Sequence, residues 1–217
     1  MYKKTSANRN LIIMICLFCP LFLKCGHDNL IENTDSKVNS MLKKLPSEYE
    51  RGNISIRDGR LLYNLIVEKG YRHGLEIGTS NGYSALWQGL AFRQNNGRLL
   101  TIEIDPIAGR EAQENFIEAG LNDLIDLKID DAKNVLGNIN ETFDFVFVDT
   151  GNSSLDFFSL AYPFVSNGGT IVIHNVNKSD PRLKTILNLP ELNATLKSHL
   201  FYCILICTKK SFCSGKS

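Results

Sequence analysis

The residues best equipped for chemistry in this chain sit at the ends of apolar runs. The stretch LEIGTSNGYSA, Leu75 to Ala85, brings an acid, a glycine, three small or polar residues and a second glycine. Gly78 and Gly82 permit backbone geometries and a close ligand approach that a Cβ would block. Their spacing is G-x-x-x-G, and Ser80 stands where a dinucleotide fingerprint wants a glycine, so pyrophosphate binding is disfavoured. Glu76 would repel a phosphate but could receive an ammonium group. Glu103, in LLTIEID, lies 21 residues beyond Gly82, a distance that suits hydrogen bonding to a ribose diol. Asp131 and Ala132 follow the next apolar run and are placed to face an adenine. A ligand with a ribose, an amino-acid tail and no phosphate is S-adenosylmethionine. The bland alternative is a tight strand-to-helix connection that holds nothing; Glu103 and Asp131 in register with the glycine turn argue against it.

These residues need a scaffold that presents strand ends side by side. Arg57 to Lys69 shows helical apolar spacing, Gly74 to Ile77 is a short strand, and Tyr83 to Phe92 is helical. The alternation continues: strand Arg98 to Ile104, helix Ile107 to Ala119, strand Leu124 to Ile129, short helix Ala132 to Leu136. Then come strand Phe143 to Val148, helix Leu155 to Phe164, strand Gly169 to Ile173 and helix Pro181 to Leu187. Strands separated by helices imply a parallel α/β sheet with helices on both faces. FDFVFV and TIVI are nearly continuous apolar runs, as strands buried on both sides require. Asn193 to Leu200 and Phe201 to Thr208 leave no room for a helix between them, which predicts an antiparallel hairpin at one sheet edge. In such sheets ligands bind at the carboxyl ends of the strands.

The 217 residues suit one sizeable domain, with a formal net charge of +1. No basic excess marks a nucleic-acid footprint. The six cysteines include no CxxC pair, which disfavours a zinc or thioredoxin-type motif. A Cys203–Cys207 disulfide is disfavoured too, since four extended residues span roughly 13 Å.

The N-terminus reads differently from the rest. Lys3, Lys4 and Arg9 precede the apolar run Leu11 to Leu23, the order of an export signal. As a helix that run spans roughly 20 Å, short of the ~30 Å hydrocarbon core. Residues 1–26 are therefore expected to be a signal or short membrane anchor, with Cys25 a weak match to a lipid-attachment cysteine because Lys24 precedes it. Residues 27–53 read as a polar linker with one short helix around Lys37 to Lys44, and the domain is expected over 54–217. The domain is expected to be membrane-associated or exported, on a side the sequence leaves open.

LEIGTSNGYSALW, LLTIEIDPIAGREAQENFIEAGL, FDFVFVD and NGGTIVIHNV together resemble the catechol and caffeoyl-CoA type O-methyltransferases, over roughly Ile54 to Lys210. The resemblance implies a Rossmann-like class I methyltransferase fold, with seven strands and the last antiparallel. It implies S-adenosylmethionine held by Glu76, Gly78, Thr79, Ser80, Gly82, Ser84, Glu103, Asp131, Ala132 and Asp149. The family usually binds a divalent metal, commonly Mg²⁺, through an Asp ending the fourth strand and an Asp-Asn pair ending the fifth. Asp149 and Asn175 match the outer two ligands, but His174 stands in the middle. Asn152 replaces the family's Lys three residues after the first Asp, and Gly151 stands where a second acid is common.

Three readings of His174 stay open: a ligand in a site shifted toward Mn²⁺, Fe²⁺ or Zn²⁺, a metal-free general base, or a strand-end residue without chemistry. The catalytic candidates are His174, Asp149 and Asn152. The expected activity is in-line methyl transfer to a hydroxyl oxygen of a small molecule, for instance a hydroxylated aromatic. The competing class is a non-catalytic, membrane-tethered binding or scaffold protein. Whether the chain forms a homodimer stays open. Phe157 and Phe158 could shape an aromatic pocket, although helix-to-sheet packing is their commoner use, and Trp87 is expected in the core.

Overall fold

Five helices of the domain start on a residue whose side chain caps them. In the computed structural model, which describes residues 35–45, 52–198 and 202–211, Asp35, Ser55, Asp105, Asp131 and Asp180 accept hydrogen bonds from first-turn amides of α1 (Ser36–Lys44), α2 (Ile56–Lys69), α4 (Pro106–Ala119), α5 (Ala132–Gly137) and α7 (Pro181–Leu187). These side chains satisfy amides that the helix itself leaves without partners. A sixth helix begins after the glycine turn without a side-chain cap: α3 (Tyr83–Gln94) has Gly82 at its start, at φ 86°. It is buried on every side from Tyr83 to Phe92, which explains its lack of a polar stripe.

The sheet contains β1 (His73–Ile77), β2 (Arg98–Glu103), β3 (Ile125–Ile129), β4 (Phe143–Val148), β5 (Val165–Val176), β6 (Leu192–Ser198) and β7 (Cys203–Lys209). Its order is β3-β2-β1-β4-β5-β7-β6. The first five strands pair in parallel; β7 runs antiparallel to both β5 and β6. The expected edge hairpin is therefore present, with its second strand inserted against β5. The chain order reverses between β1 and β4, which opens a crevice at their carboxyl ends. Phe143, Phe145, Val146, Phe147 and Val148 of β4 and Ile171 to Ile173 of β5 are buried, as the continuous apolar runs required.

Three segments differ from the sequence reading. The described part of residues 27–53 is not simply a linker: α1 buries Val38 and Met41 against α4 and α3, and the described residues from Asp35 onward belong to one compact unit. The folded part thus begins before Ile54. The segment expected as one helix, Leu155 to Phe164, is a 3₁₀ turn over Gly151–Phe157, one α-turn α6 (Phe158–Ala161) and a second 3₁₀ turn. Ser154 holds the first turn by accepting from the Thr150 amide and donating to the Gly151 carbonyl. β5 is longer than Gly169 to Ile173 because a bulge between its Phe143 and Phe145 partners absorbs residues 166–169.

The expected signal or anchor, Cys16, Cys19, Cys25 and Cys213 lie outside the described residues. Among the described residues no helix is long and apolar enough to cross a membrane. Cys203 and Cys207 are buried free thiols.

Candidate active site

The crevice holds a cavity of about 400 Å³ walled by Gly78, Ser80, Glu103, Asp131, Asp149 and Phe157, among others. A similar concavity of about 430 Å³ lies at the opposite end of the strands, near His73, Arg98 and Glu141. Its charged wall residues pair at the exposed surface, and open α/β sheets bind ligands at the carboxyl end. The crevice at the carboxyl ends is therefore the candidate site.

Two short connections shape it. Gly78 has φ 96°, and a Cβ there would lie 2.1 Å from the Asp149 carbonyl oxygen. Only glycine lets β1 leave the sheet this close to β4. Ser80 (φ 50°) and Asn175 (φ 56°) also take the left-handed conformation, which costs a non-glycine residue free energy and tends to occur at functional sites.

At one end, Glu103 is 8% exposed. Its carboxylate accepts from the Ser80 amide at 2.7 Å and the Asp105 amide at 2.9 Å, which fixes its direction at the cavity wall. Asp131 caps α5 through the Lys133 amide at 2.8 Å, and Ala132 lies beside it on the wall.

Glu76 is elsewhere. It is 0% exposed and lies behind the glycine turn, away from the cavity wall. Ser84 and Gln88, four residues apart on α3, donate to Oε1 at 2.7 and 2.6 Å, and Thr101 donates to Oε2 at 2.6 Å. Burial pushes the carboxyl up to about 7, against the lowering effect of these three donors. Thr79 is likewise turned inward, with its hydroxyl 2.6 Å from that of Thr101. The cofactor candidates thus divide: Gly78, Ser80, Glu103, Asp131, Ala132 and Asp149 wall the cavity, whereas Glu76, Thr79, Gly82 and Ser84 build its support.

The other end is an alternation of charge. His174 is 4% exposed, with Nδ1 3.2 Å from Asp149 Oδ2 and Nε2 3.5 Å from Asp58 Oδ2. These are ion-pair contacts, without the alignment of full hydrogen bonds. Asn175 Nδ2 donates to Asp149 Oδ1 at 3.3 Å. Tyr202 and Phe147 enclose the imidazole, with ring centroids at 4.7 and 6.2 Å. Burial pulls the imidazole pKa down, but the contacts and charges of Asp149 and Asp58 outweigh it and lift it to about 9. Burial opposes ionisation of Asp58 too, yet the close His174 imidazole and the hydroxyls of Tyr202 and Ser55 bring it to about 2. These shifts favour a charged imidazole against a charged Asp58 carboxylate at neutral pH.

Asp58 escaped the sequence reading. Its signal was the SIRD stretch, a helix-start pattern of the S-x-x-acid kind: Ser55 accepts from the Asp58 amide at 3.1 Å and donates to its Oδ2 at 2.8 Å. Nothing in the stretch announced that α2 would lay this acid against β5.

The arrangement does not fit the expected metal set. Both oxygens of Asp149 already face donors, and each ring nitrogen of His174 faces a carboxylate. Among the described residues no group of three or more His, Cys, Asp or Glu side chains is placed to hold a metal ion. With its pKa lifted to about 9, the His174 imidazole favours holding its proton at neutral pH, which does not favour the general-base reading. Asn152 is exposed and is not part of the cavity wall. Phe157 does reach the wall, whereas Phe158 packs in the core, stacked on Tyr162 at 5.3 Å. Trp87 is buried as expected, and Gly59 gives it room: a Cβ there would meet its ring at 2.4 Å.

Comparison with known proteins bears on the family and the fold. Residues 33–199 match the sequence profile of the O-methyltransferase family. A catechol O-methyltransferase of Niastella koreensis is 32% identical over 128 residues, covering 57% of this chain and 58% of that protein. The chain thus spans little more than half the length of such relatives. Among solved structures, an O-methyltransferase from Bacillus cereus in complex with S-adenosylhomocysteine superposes with a TM-score of 0.69 at 24% identity, over 84% of this chain and 94% of that one. The O-methyltransferase TomG from Streptomyces achromogenes, in complex with S-adenosylmethionine, gives 0.68 at 23% identity, over 82% and 91%. At these identities the structural likeness speaks for the fold.

Proposed function

This chain belongs to the O-methyltransferase family, and on that premise we propose that it binds S-adenosylmethionine in the crevice and methylates a hydroxyl oxygen of a small molecule. The observation that carries the reading is Glu103, an acid oriented by two backbone amides at the wall of the cavity. A carboxylate so fixed can accept both hydroxyls of a ribose. Gly78 and Ser80 keep the neighbouring wall low, and Asp131 and Ala132 flank the place for the base.

The cofactor supplies a methyl group on a sulfonium: the substrate oxygen gains it, the C–S bond breaks, and the bonding pair stays on sulfur. The protein's part is alignment and removal of one proton. Asp149 reaches the cavity from the end of β4, and its carboxylate takes the hydroxyl proton. Phe157 offers an apolar wall beside it, which favours an aromatic acceptor, and the name of the Niastella koreensis relative suggests a catechol as the first compound to try.

The test is formation of the methyl ether from catechol and related hydroxylated aromatics with S-adenosylmethionine. Methyl transfer abolished by Asp149→Asn supports the reading; transfer unaffected by that change removes Asp149 from it. A second reading, a tethered binding protein without turnover, gains support from the exposed Asn152 in the place of a charged Lys. It predicts cofactor binding with no methyl transfer to any hydroxylated compound. Either activity would sit on a membrane or beyond it if residues 1–26 act as signal or anchor, which protease accessibility in cells would reveal.

A further inference from the structure

We propose that His174, clamped between Asp149 and Asp58, occupies the place of a divalent cation in this chain, so that methyl transfer needs no metal and Asp58 is a positioning residue. The proposal rests on the methyltransferase reading above, and its tests are chosen to fail separately from it.

Three observations carry it. First, both oxygens of Asp149 face protein groups: Oδ2 lies 3.2 Å from His174 Nδ1 in an ion-pair contact, and Oδ1 accepts from Asn175 Nδ2 at 3.3 Å. A metal ion would have to displace both. Second, the imidazole cannot turn to serve as a ligand itself. Its far nitrogen lies 3.5 Å from Asp58, and Tyr202 and Phe147 pack on the ring. Third, Asp58 is built in from outside the sheet. It is 1% exposed, and its Oδ2 receives the hydroxyls of Ser55 and Tyr202 at 2.8 and 2.5 Å. A buried carboxylate held by two hydroxyls is costly unless it has a charged partner, and His174 stands 3.5 Å away as that partner. Asp58 therefore fixes the imidazole, and the imidazole fixes Asp149 at the cavity wall. A hard cation such as Mg²⁺ asks instead for open oxygen donors in near-octahedral array.

The experiment uses the full-length chain and Mn²⁺ as the probe. Electron paramagnetic resonance should show no stoichiometric Mn²⁺ binding at micromolar protein, and turnover in EDTA should match turnover with Mg²⁺ within twofold. Stoichiometric Mn²⁺ binding, or a tenfold fall in EDTA restored by metal, overturns the proposal. The Mn²⁺ arm holds even if no substrate is found, and intact binding of S-adenosylhomocysteine shows separately that the cofactor reading stands.

The double variant Asp58→Asn/His174→Asp replaces the clamp with open oxygen donors. It should gain stoichiometric Mn²⁺ binding; a folded double variant that gains none contradicts the role given to His174. For Asp58 the variant is Asp58→Asn, which keeps the shape. It should lower kcat at least tenfold while S-adenosylhomocysteine affinity and KM stay within twofold. An equal loss in kcat and affinity would mark a merely structural residue and remove Asp58 from the proposal.

Discussion

The two ends of the crevice are built by different means. At the Glu103 end the acid is oriented by backbone amides of adjacent turns, Ser80 and Asp105. At the His174 end the geometry comes from side chains brought together from α2, β4, β5 and the start of β7: Asp58, Asp149, His174 and Tyr202. Backbone donors come with the fold, so the first end tolerates change around it. The second end is a buried charge network, in which removing one member strands the others.

That contrast can be broken most forcefully at Asp58. Asp58→Ala leaves His174 with one carboxylate and Tyr202 without its acceptor. Denaturant unfolding should show a loss of about 3–5 kcal/mol, the cost of opening a buried pair. A loss under about 1 kcal/mol, the scale of exposed ion pairs, would mean that the network contributes little.

The second effect is on pH dependence. Glu76 is raised from 4.5 to about 7, so the folded state holds its proton where the unfolded state has released it. Stability therefore falls as pH rises from 4.5 to about 7, by about 3 kcal/mol. His174 is raised from 6.5 to about 9, and its contribution is full below 6.5 and lost as pH climbs through about 9. Asp58, lowered to about 2, stabilises above 3.8 and loses that effect as pH falls through about 2. Thermal melts should thus peak between these limits, near pH 4 to 5, and decline toward pH 9. Glu76→Gln should flatten the limb between 4.5 and 7 and leave the limb above 6.5. An unchanged lower limb would assign it to another group.

A smaller effect sharpens how α2 reaches the site. Gly59→Ala drives a methyl against the Trp87 ring, and overpacking of this kind costs about 1–3 kcal/mol, partly offset by about 1 kcal/mol of helix propensity. Melting should drop by a few degrees, and kcat should fall with it as Asp58 shifts. A more stable variant would show that α3 yields without strain.

The difference between the ends also explains what the sequence could disclose. Glu103, Gly78, Ser80 and Asp131 were legible because each sits at the end of an apolar run, and a parallel sheet puts such ends in one row. The hairpin of β6 and β7 was legible from the short gap between two strand patterns. Glu76 was misleading: its place in the turn suggested a ligand contact, but the inward face of a strand ending in that turn points at α3, where Ser84 and Gln88 meet it. The 3₁₀ turn after Asp149 was hidden because Ser154 hydroxyl bonds, not side-chain periodicity, shape it. The partnership of His174 with Asp58 spans more than a hundred residues and follows from the angle at which α2 packs, which Gly59 and Trp87 set. No local pattern encodes such a contact.

The most direct measurement is calorimetric titration of S-adenosylhomocysteine into the protein in EDTA, beside Glu103→Ala. The account predicts micromolar binding without metal, weakened about 10- to 100-fold in the variant, as expected for loss of charge-assisted hydrogen bonds of about 1.5–3 kcal/mol, with the fold intact. No binding by the folded wild-type chain, or equal binding by the variant, would contradict it.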